Sequence, residues 1–381
     1  MIAQIVLILS LAGLCYVYFG YPLVVYLLAR QRSAPVAKRP CEPAVTVLVA
    51  AYNEAASIAG TITNKLTLDY PPDKLEIIVV SDGSTDGTDR LVEDFRGRNV
   101  RLLRQEPRAG KTSALNLAVP LALGEIIVFS DANSLYDPMA LRRMVVNFAD
   151  SRVGYVTGKM IYTNPDGTSI GDGCSAYMKY ENFLRAAESE LGSVVGVDGG
   201  IDAMRKELYR PMNIDQLPDF VQPLKVVEQG YRVVYEPEAL LKEPALKTSR
   251  DEYRMRVRVS LRAFWALYDM RHLLFLRNNL FFSWQLWSHK VLRYFCFVFL
   301  LAAFCSNFLL IGSGGIYTLF FILQGVFYGA ALVTPVLEAR GYASWIFDFV
   351  RYFILLNLAC GQAFLKFLFR QKQVTWTPRK G

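Results

Sequence analysis

The sequence predicts an α/β protein built on a mainly parallel, doubly wound sheet, with transmembrane helices at both ends. Two patterns carry this. Four short runs rich in Val and Ile, Val45–Ala51, Leu75–Val80, Val100–Leu103 and Glu125–Ser130, alternate with helical patterns over Ser57–Leu66, Asp86–Phe95 and Lys111–Leu123. Strands that read as continuous apolar runs with helices between them belong to a parallel sheet covered on both faces. Outside this region lie uncharged stretches long enough to cross a bilayer.

The first 29 residues carry no charge, and Arg30, Arg32, Lys38 and Arg39 follow them. No basic residue precedes the apolar run, so residues 1–30 read as an uncleaved anchor rather than a signal peptide. The positive-inside rule then puts the N-terminus outside and the next segment in the cytoplasm. Residues 31–44, with Pro35, Pro40 and Pro43, form a linker, and 45–265 the α/β domain. Residues 266–290 mix Leu, Phe and Trp with Arg277, Asn278 and Gln285. They read as an interfacial amphipathic segment with Trp284 and Trp287 at headgroup depth. From Tyr294 to Leu337, 44 consecutive residues lack charge, broken by Gly312-Ser313-Gly314-Gly315, which predicts a membrane hairpin over 291–337. In the remaining 338–381, Ser344–Leu365 carries Asp348 and Arg351, and only Tyr352–Leu365 is free of charge. This segment either spans the bilayer, or lies in its interface or re-enters. The second reading keeps the basic tail of Lys366, Arg370, Lys372, Arg379 and Lys380 inside, and is the one favoured here.

Composition excludes several classes. The net charge of +8 comes from 42 basic and 34 acidic residues. The basic residues lie beside apolar stretches and no nucleic-acid motif occurs, so the surplus suits anionic headgroups better than nucleic acid. Six cysteines, four of them within apolar stretches and none in CxxC spacing, argue against a disulfide framework or a zinc site. His272 and His289, the only histidines, sit in one Trp/Phe-rich stretch, which disfavours catalysis by histidine.

Open α/β sheets bind ligands at the carboxyl ends of their strands, where this sequence places its polar motifs. The first run ends in Ala50-Ala51-Tyr52-Asn53-Glu54; small residues admit a ligand close to the backbone, and Tyr52 can stack on a base. The second ends in Ser81-Asp82-Gly83-Ser84-Thr85-Asp86-Gly87-Thr88. Its acids fall on EF-hand positions, but a strand precedes them and Asp89 stands where an apolar residue is needed, which argues against a calcium loop. Asp82 is instead expected to accept hydrogen bonds from a ligand's N–H groups, such as a uracil edge. Arg108-Ala109-Gly110-Lys111-Thr112 lacks the upstream Gly of a P-loop, Gln105 standing there; Lys111 still adds charge to the positive end of a helix dipole and suits phosphate. The fourth run ends in Phe129-Ser130-Asp131-Ala132-Asn133-Ser134. Oxygen-bearing side chains at i and i+2 suit a Mg²⁺ or Mn²⁺ ion with few protein ligands, which leaves positions for a diphosphate and offsets charge on a departing nucleotide. No GxGxxG follows the first strand, which argues against a dehydrogenase.

Taken in order, AAYNE, SDGSTDGT, GKTSALN, SDAN, Gly199-Gly200 and Asp219-Phe220 resemble the family 2 glycosyltransferases with a GT-A fold, over residues 45–265. Phe19-Gly20-Tyr21-Pro22 and Trp376-Thr377-Pro378 resemble the bacterial membrane members that build surface polysaccharides. The resemblance implies that Ala51, Tyr52, Glu54 and Asp82 hold the nucleotide-sugar, with Lys111 and Asp131 beside it. Asp131 and Asn133 occupy the DxD metal site, with an amide replacing the second carboxylate. The acceptor-side ED or DD motif keeps one acid, because Pro218 precedes Asp219; Asp219 is then the general base for in-line, inverting attack. Gly199 and Gly200 fall on the acceptor or phosphate side. Of the QxxRW motif of processive synthases, Val259-Ser260-Leu261-Arg262-Ala263 retains only the Arg; Arg258 or Arg262 clamps a diphosphate, or the basic run meets headgroups. The implied activity is metal-dependent transfer of a sugar from a UDP-sugar to a lipid-linked or glycan acceptor. It takes place at the cytoplasmic face of the inner membrane, in polysaccharide biosynthesis, alongside other assembly proteins and without nucleic acid. A processive synthase, a polyprenyl-phosphate glycosyltransferase and a non-catalytic nucleotide-binding scaffold are the alternatives, the last because of Asn133 and the missing acid before Asp219.

Overall fold

The computed structural model describes residues 1–163, 169–244, 248–275, 279–340, 342 and 345–375. Arg277, Asn278 and the Trp376-Thr377-Pro378 motif lie outside the described residues, as do Arg379 and Lys380 of the basic tail. Eight strands form one sheet: β1 (Val45–Ala51), β2 (Leu75–Asp82), β3 (Val100–Gln105), β4 (Ile126–Asp131), β5 (Leu135–Tyr136), β6 (Val153–Thr163), β7 (Ile201–Arg205) and β8 (Arg232–Pro244). Their order is β3-β2-β1-β4-β7-β6-β8-β5. The first four strands are parallel, as their alternation with helices requires. Beyond β4 the sheet is mixed: β7 runs antiparallel to both β4 and β6, β8 is parallel to β6, and β5 is antiparallel to β8.

The helices are α1 (Ile2–Cys15), α2 (Tyr21–Gln31), α3 (Ile58–Leu66), α4 (Thr88–Glu93), α5 (Lys111–Ala118), α6 (Ala140–Val145) and α7 (Ser169–Leu191). After them come α8 (Pro218–Glu228), α9 (Ser249–Asp269), α10 (Leu280–Leu286), α11 (Leu292–Tyr294), α12 (Cys296–Leu309), α13 (Gly315–Ala339) and α14 (Trp345–Leu368). Every residue of β1 and β2 is buried because each face of the sheet has its own cover. Leu48, Ile78, Val80 and Ile127 pack with α5, α8 and α9, whereas Val47, Val49, Ile77 and Val128 pack with α3 and α6. Side chains of period two thus feed two cores from one strand.

Three helices among the described residues are long and apolar enough to cross a membrane: Ile2–Gln31, which joins α1 and α2 through a π-helical turn, Gly315–Glu338 and Trp345–Leu368. The bent pair Leu280–Tyr294 and Cys296–Leu309 meets at 55° and passes the same test if it is one span. The hairpin expected over 291–337 thus has one long arm, α13, and a short one, α12, which reaches spanning length only with the segment before it. The chain breaks between the arms where Gly312 and Gly314 adopt positive φ. The last apolar helix, α14, is longer than its charges suggest, because Asp348 is buried and Arg351 pairs with Glu338 at 2.8 Å and donates to Ser249. A helix that partners its own charges against neighbouring helices retains its apolar length.

A buried polar cluster joins the sheet domain to these helices. The Glu188 carboxylate on α7 accepts from Tyr21 Oη at 2.5 Å, lies 2.6 Å from His289 Nδ1 and accepts from the Val195 amide at 3.0 Å. Tyr16 adds hydrogen bonds with Ser288 and Trp284. Removing one member of a buried charged cluster strands its partners, at a cost of about 3 kcal/mol. Glu188→Ala is therefore expected to lower the thermal midpoint of the detergent-solubilised chain by several degrees, and Glu188→Gln by less; equal midpoints would show that this cluster does not hold the domains together.

Candidate active site

The parallel register brings the polar strand ends into one row. Ala50 pairs with Asp131 across β1 and β4, and Ala51 with Ser81 across β1 and β2. Ala51 is fully buried, and the loop after it is tied to the one after β2: the Asn53 amide donates to Ser84, Glu54 to Thr88 and Ala55 to Asp86. The Glu54 side chain lines the cleft. Burial pushes its carboxyl up, the Ser57 hydroxyl draws it down, and Asp131 and Asp86 push it up further.

Asp82, expected to accept from a ligand's N–H groups, turns its carboxylate into the protein instead. It is fully buried and accepts from Gln105 Nε2 at 2.5 Å, the Ala109 amide at 2.8 Å and the Gly110 amide at 3.0 Å. A carboxylate holding three internal donors has little capacity left for a base edge. It fixes the loop that starts α5, in which Gly110 takes φ +93°. Tyr52 does not stand open either: the Arg108 guanidinium lies 3.3 Å from its ring centroid and 3.6 Å from Asp82.

Lys111, the first residue of α5, is the centre of the arrangement. Its Nζ lies 2.8 Å from Asp131 Oδ1, at the end of β4, and 3.5 Å from Asp219 Oδ1, in the first turn of α8. Burial opposes its charge, but Asp131 and Asp219 outweigh it and hold the ammonium above its ordinary value. Burial likewise lifts Asp219, Lys111 draws it back and Asp131 lifts it again; the net effect is a carboxyl above the ordinary range. Asp219 closes against Gly199, where φ is +82° and an added Cβ would sit 2.6 Å from Asp219 Oδ2. An added Cβ on Gly200 would meet Leu241 and Met160.

Arg262, expected as one of two diphosphate clamps, is a buried brace: it donates to Thr112 Oγ1 at 3.1 Å and to the Gln216 carbonyl just before α8. Burial lowers its guanidinium to about 10. Arg258 lines the cleft together with Asn133. The cavity, ≈ 310 Å³, runs from Lys111 and Asp131 down between α7 and α9 to Lys290 and Tyr294. A larger hollow of ≈ 730 Å³ opens at the other ends of β1–β3, near Lys74, Glu93 and Arg101, away from the strand ends that carry the motifs.

The family model for glycosyl transferase family 2 matches residues 46–211. Residues 46–211 are a family 2 glycosyltransferase domain. Among curated relatives, a poly-β-1,6-N-acetyl-D-glucosamine synthase of Staphylococcus epidermidis is 26% identical over 234 residues, covering 58% of this chain and 56% of that protein. The Staphylococcus aureus synthase is 29% identical over 221 residues, covering 56% and 53%. The chain therefore spans little more than half the length of these relatives. A solved mannosyltransferase of Pyrobaculum calidifontis, in complex with GDP-Man and Mn²⁺, matches over 96% of this chain and 99% of its own, at 25% identity and TM-score 0.74. That likeness extends past the glycosyltransferase domain to the terminal helices.

Four residues in or beside the glycosyltransferase cleft have no counterpart in the motif reading. Asp202 on β7 is almost wholly buried and accepts from the Gly199 amide at 3.0 Å. Burial, against a Thr157 hydrogen bond and with Asp219 and Asp198 nearby, raises it to about 7. Arg185 pairs with Asp198 at 2.6 Å, and Lys290 enters the far end of the cleft. Acids inside the apolar run Val194–Met204 were the one available signal for Asp198 and Asp202; Lys290, far along the chain from Asp219, has none.

Two outcomes follow. Gly199→Ala is expected to displace Asp219 and cut sugar transfer on the order of 100-fold, measured as nucleotide release in the presence of acceptor. For Asp202, the folded carboxyl holds its proton up to about 7, whereas the unfolded one releases it near about 4. The folded state therefore binds more protons in that window, and stability falls as pH rises through it. Thermal midpoints between pH 4 and 8 should slope downward for the wild type and less so for Asp202→Asn.

Proposed function

We propose that the chain is an inverting glycosyltransferase that moves a sugar from a nucleotide-sugar to a lipid-linked or glycan acceptor at the cytoplasmic face of a bacterial inner membrane, in polysaccharide biosynthesis. The observation that carries this reading is the single ammonium of Lys111 set between Asp131 and Asp219. In this reading Asp131 is the donor-side acid and Asp219 the acceptor-side acid, one side chain apart. Asp219 takes the proton of the acceptor hydroxyl, whose oxygen bonds to the anomeric carbon as the bond from that carbon to the donor phosphate breaks. The electron pair leaves on the nucleoside diphosphate, beside the fixed charge of Lys111. Glu54 and the loop pinned by Asp82 shape the nucleotide side.

Among the described residues, no cluster of three His, Cys, Asp or Glu side chains stands ready to hold a metal. Asp131, 37% exposed with one oxygen on Lys111, and the cleft-lining Asn133 fit a hard cation held chiefly by the donor's phosphates. Such an ion, when bound, offsets charge on the leaving diphosphate. The Mn²⁺ in the Pyrobaculum mannosyltransferase supports this assignment.

A UDP-sugar is the donor proposed, with UDP-N-acetylglucosamine first because of the staphylococcal synthases. The GDP-Man of the mannosyltransferase favours a GDP-sugar as the second reading. A polymerising synthase is the second reading of the product, on the names of the staphylococcal relatives. Both resolve in one assay of the purified chain with UDP-N-acetylglucosamine and GDP-mannose, with Mn²⁺, Mg²⁺ or EDTA, scoring nucleotide release and product length. Metal-dependent release from one donor is expected. Asp219→Asn is expected to lower transfer roughly 100- to 10,000-fold while nucleotide binding is retained; full activity in that variant would remove Asp219 as the base.

A further inference from the structure

The cleft has a second end that the transfer reaction at Lys111 does not use. It is walled by α7, by α9 and by the segment Leu280–Tyr294, and Lys290 projects into it. The Lys290 side chain is 15% exposed, and its nearest acid is Glu181 Oε2 at 3.9 Å, beyond hydrogen-bond reach. Its ammonium donates no hydrogen bond to any described residue. Glu181 is already committed: it pairs with Arg293 and lies 3.4 Å from His289 Nε2. Other cations at this end have partners, Arg185 with Asp198 and Arg256 with Glu252 at 2.7 Å. Lys290 reaches the cavity because residue 196 is glycine; a Cβ there would overlap its ammonium. A largely desolvated ammonium with three donors and no close acceptor is expensive to maintain, and an anionic ligand would repay that cost.

The element that carries Lys290 also presents an exposed apolar face. Leu280, Phe281 and Trp287 are exposed on it, and it runs at 55° into the apolar Cys296–Leu309 helix. Such a face beside Lys290 suits an anion carried on a lipid chain.

We propose that Lys290 anchors a phosphate on the acceptor, so that the acceptor is a sugar carried on a lipid phosphate or diphosphate. Its sugar hydroxyl faces Asp219, its phosphate meets Lys290, and its chain lies beside Leu280–Trp287. This rests on the transferase reading above and specifies its acceptor. The bonds made and broken are those already given; the phosphate at Lys290 is a handle and stays intact.

The test uses the full chain in lipid nanodiscs and three probes: farnesyl-diphosphoryl N-acetylglucosamine, free N-acetylglucosamine 1-phosphate and dodecyl N-acetylglucosaminide. Equilibrium binding of the wild type should favour the farnesyl-diphosphoryl sugar over the dodecyl glycoside by roughly 10- to 100-fold, as for a hydrogen bond to a charged group. Lys290→Met should abolish that preference and Lys290→Arg restore most of it. Gly196→Ala, which displaces the ammonium without removing it, should weaken the preference as well. A preference that survives Lys290→Met, or a wild type that binds both lipids equally, would overturn the proposal. Free sugar phosphate binding as tightly as the farnesyl compound would overturn its lipid part and point to a soluble acceptor. Nucleotide release, read separately, tests the transferase reading: its absence with every donor would strike that reading, while the binding comparison still decides the role of Lys290.

Discussion

One ammonium group shared by two carboxylates organises the catalytic half of this molecule. Asp131 ends β4 and Asp219 opens α8; Lys111 touches both. Two acids this close, partly desolvated, would repel each other and drive one to protonate; a cation between them lets both approach ionisation in one cleft. Several local features serve that placement. Asp82 holds the amides of residues 109 and 110, so that α5 begins where Lys111 can reach. Gly199 leaves room for the Asp219 carboxylate, and Arg262 ties Thr112 of α5 to the loop before α8.

The same elements link the site to the long apolar helices. Arg262 belongs to α9, whose Val257, Leu261 and Phe264 pack on Ala359 and Ala363 of α14. The chain after α14 returns to the site: Trp265 Nε1 donates to the Gln371 carbonyl at 2.8 Å, Lys372 pairs with Asp215, and the Val374 carbonyl fills the space beside Gly110. On the other side, Glu188 binds α7 to Tyr21 and His289. The cleft is thus framed by segments that also contact the apolar helices, which suits an acceptor delivered from the bilayer.

The parallel half of the sheet was legible because β1, β2 and β4 are apolar runs that end abruptly in polar residues, and register then aligns those ends. Asp131 could be placed from that alone, and Lys111 from its position after the third strand. Asp219 was not visible in any local pattern and came from the resemblance. Two of the three partners of Asp82 were hidden, because the backbone amides of Ala109 and Gly110 leave no trace in residue identity. The full length of α14 was hidden for a related reason: Asp348 and Arg351 look like obstacles until burial and the Glu338 partner are known. The antiparallel β7 and the approach of Lys290 depend on packing between distant segments, and no period or motif encodes them.

A cation shared in this way implies that Lys111 sets the charge state of Asp219 as well as meeting the donor. The most direct measurement is the pH dependence of kcat for Lys111→Met beside the wild type, with donor and acceptor both saturating. Lys111 draws the Asp219 carboxyl down, and a general base works only when deprotonated. Removing the ammonium should therefore move the acid limb of the profile to higher pH. An acid limb that stays in place, with only the plateau lowered, would mean that Lys111 acts on the donor alone and that the shared-cation account is wrong.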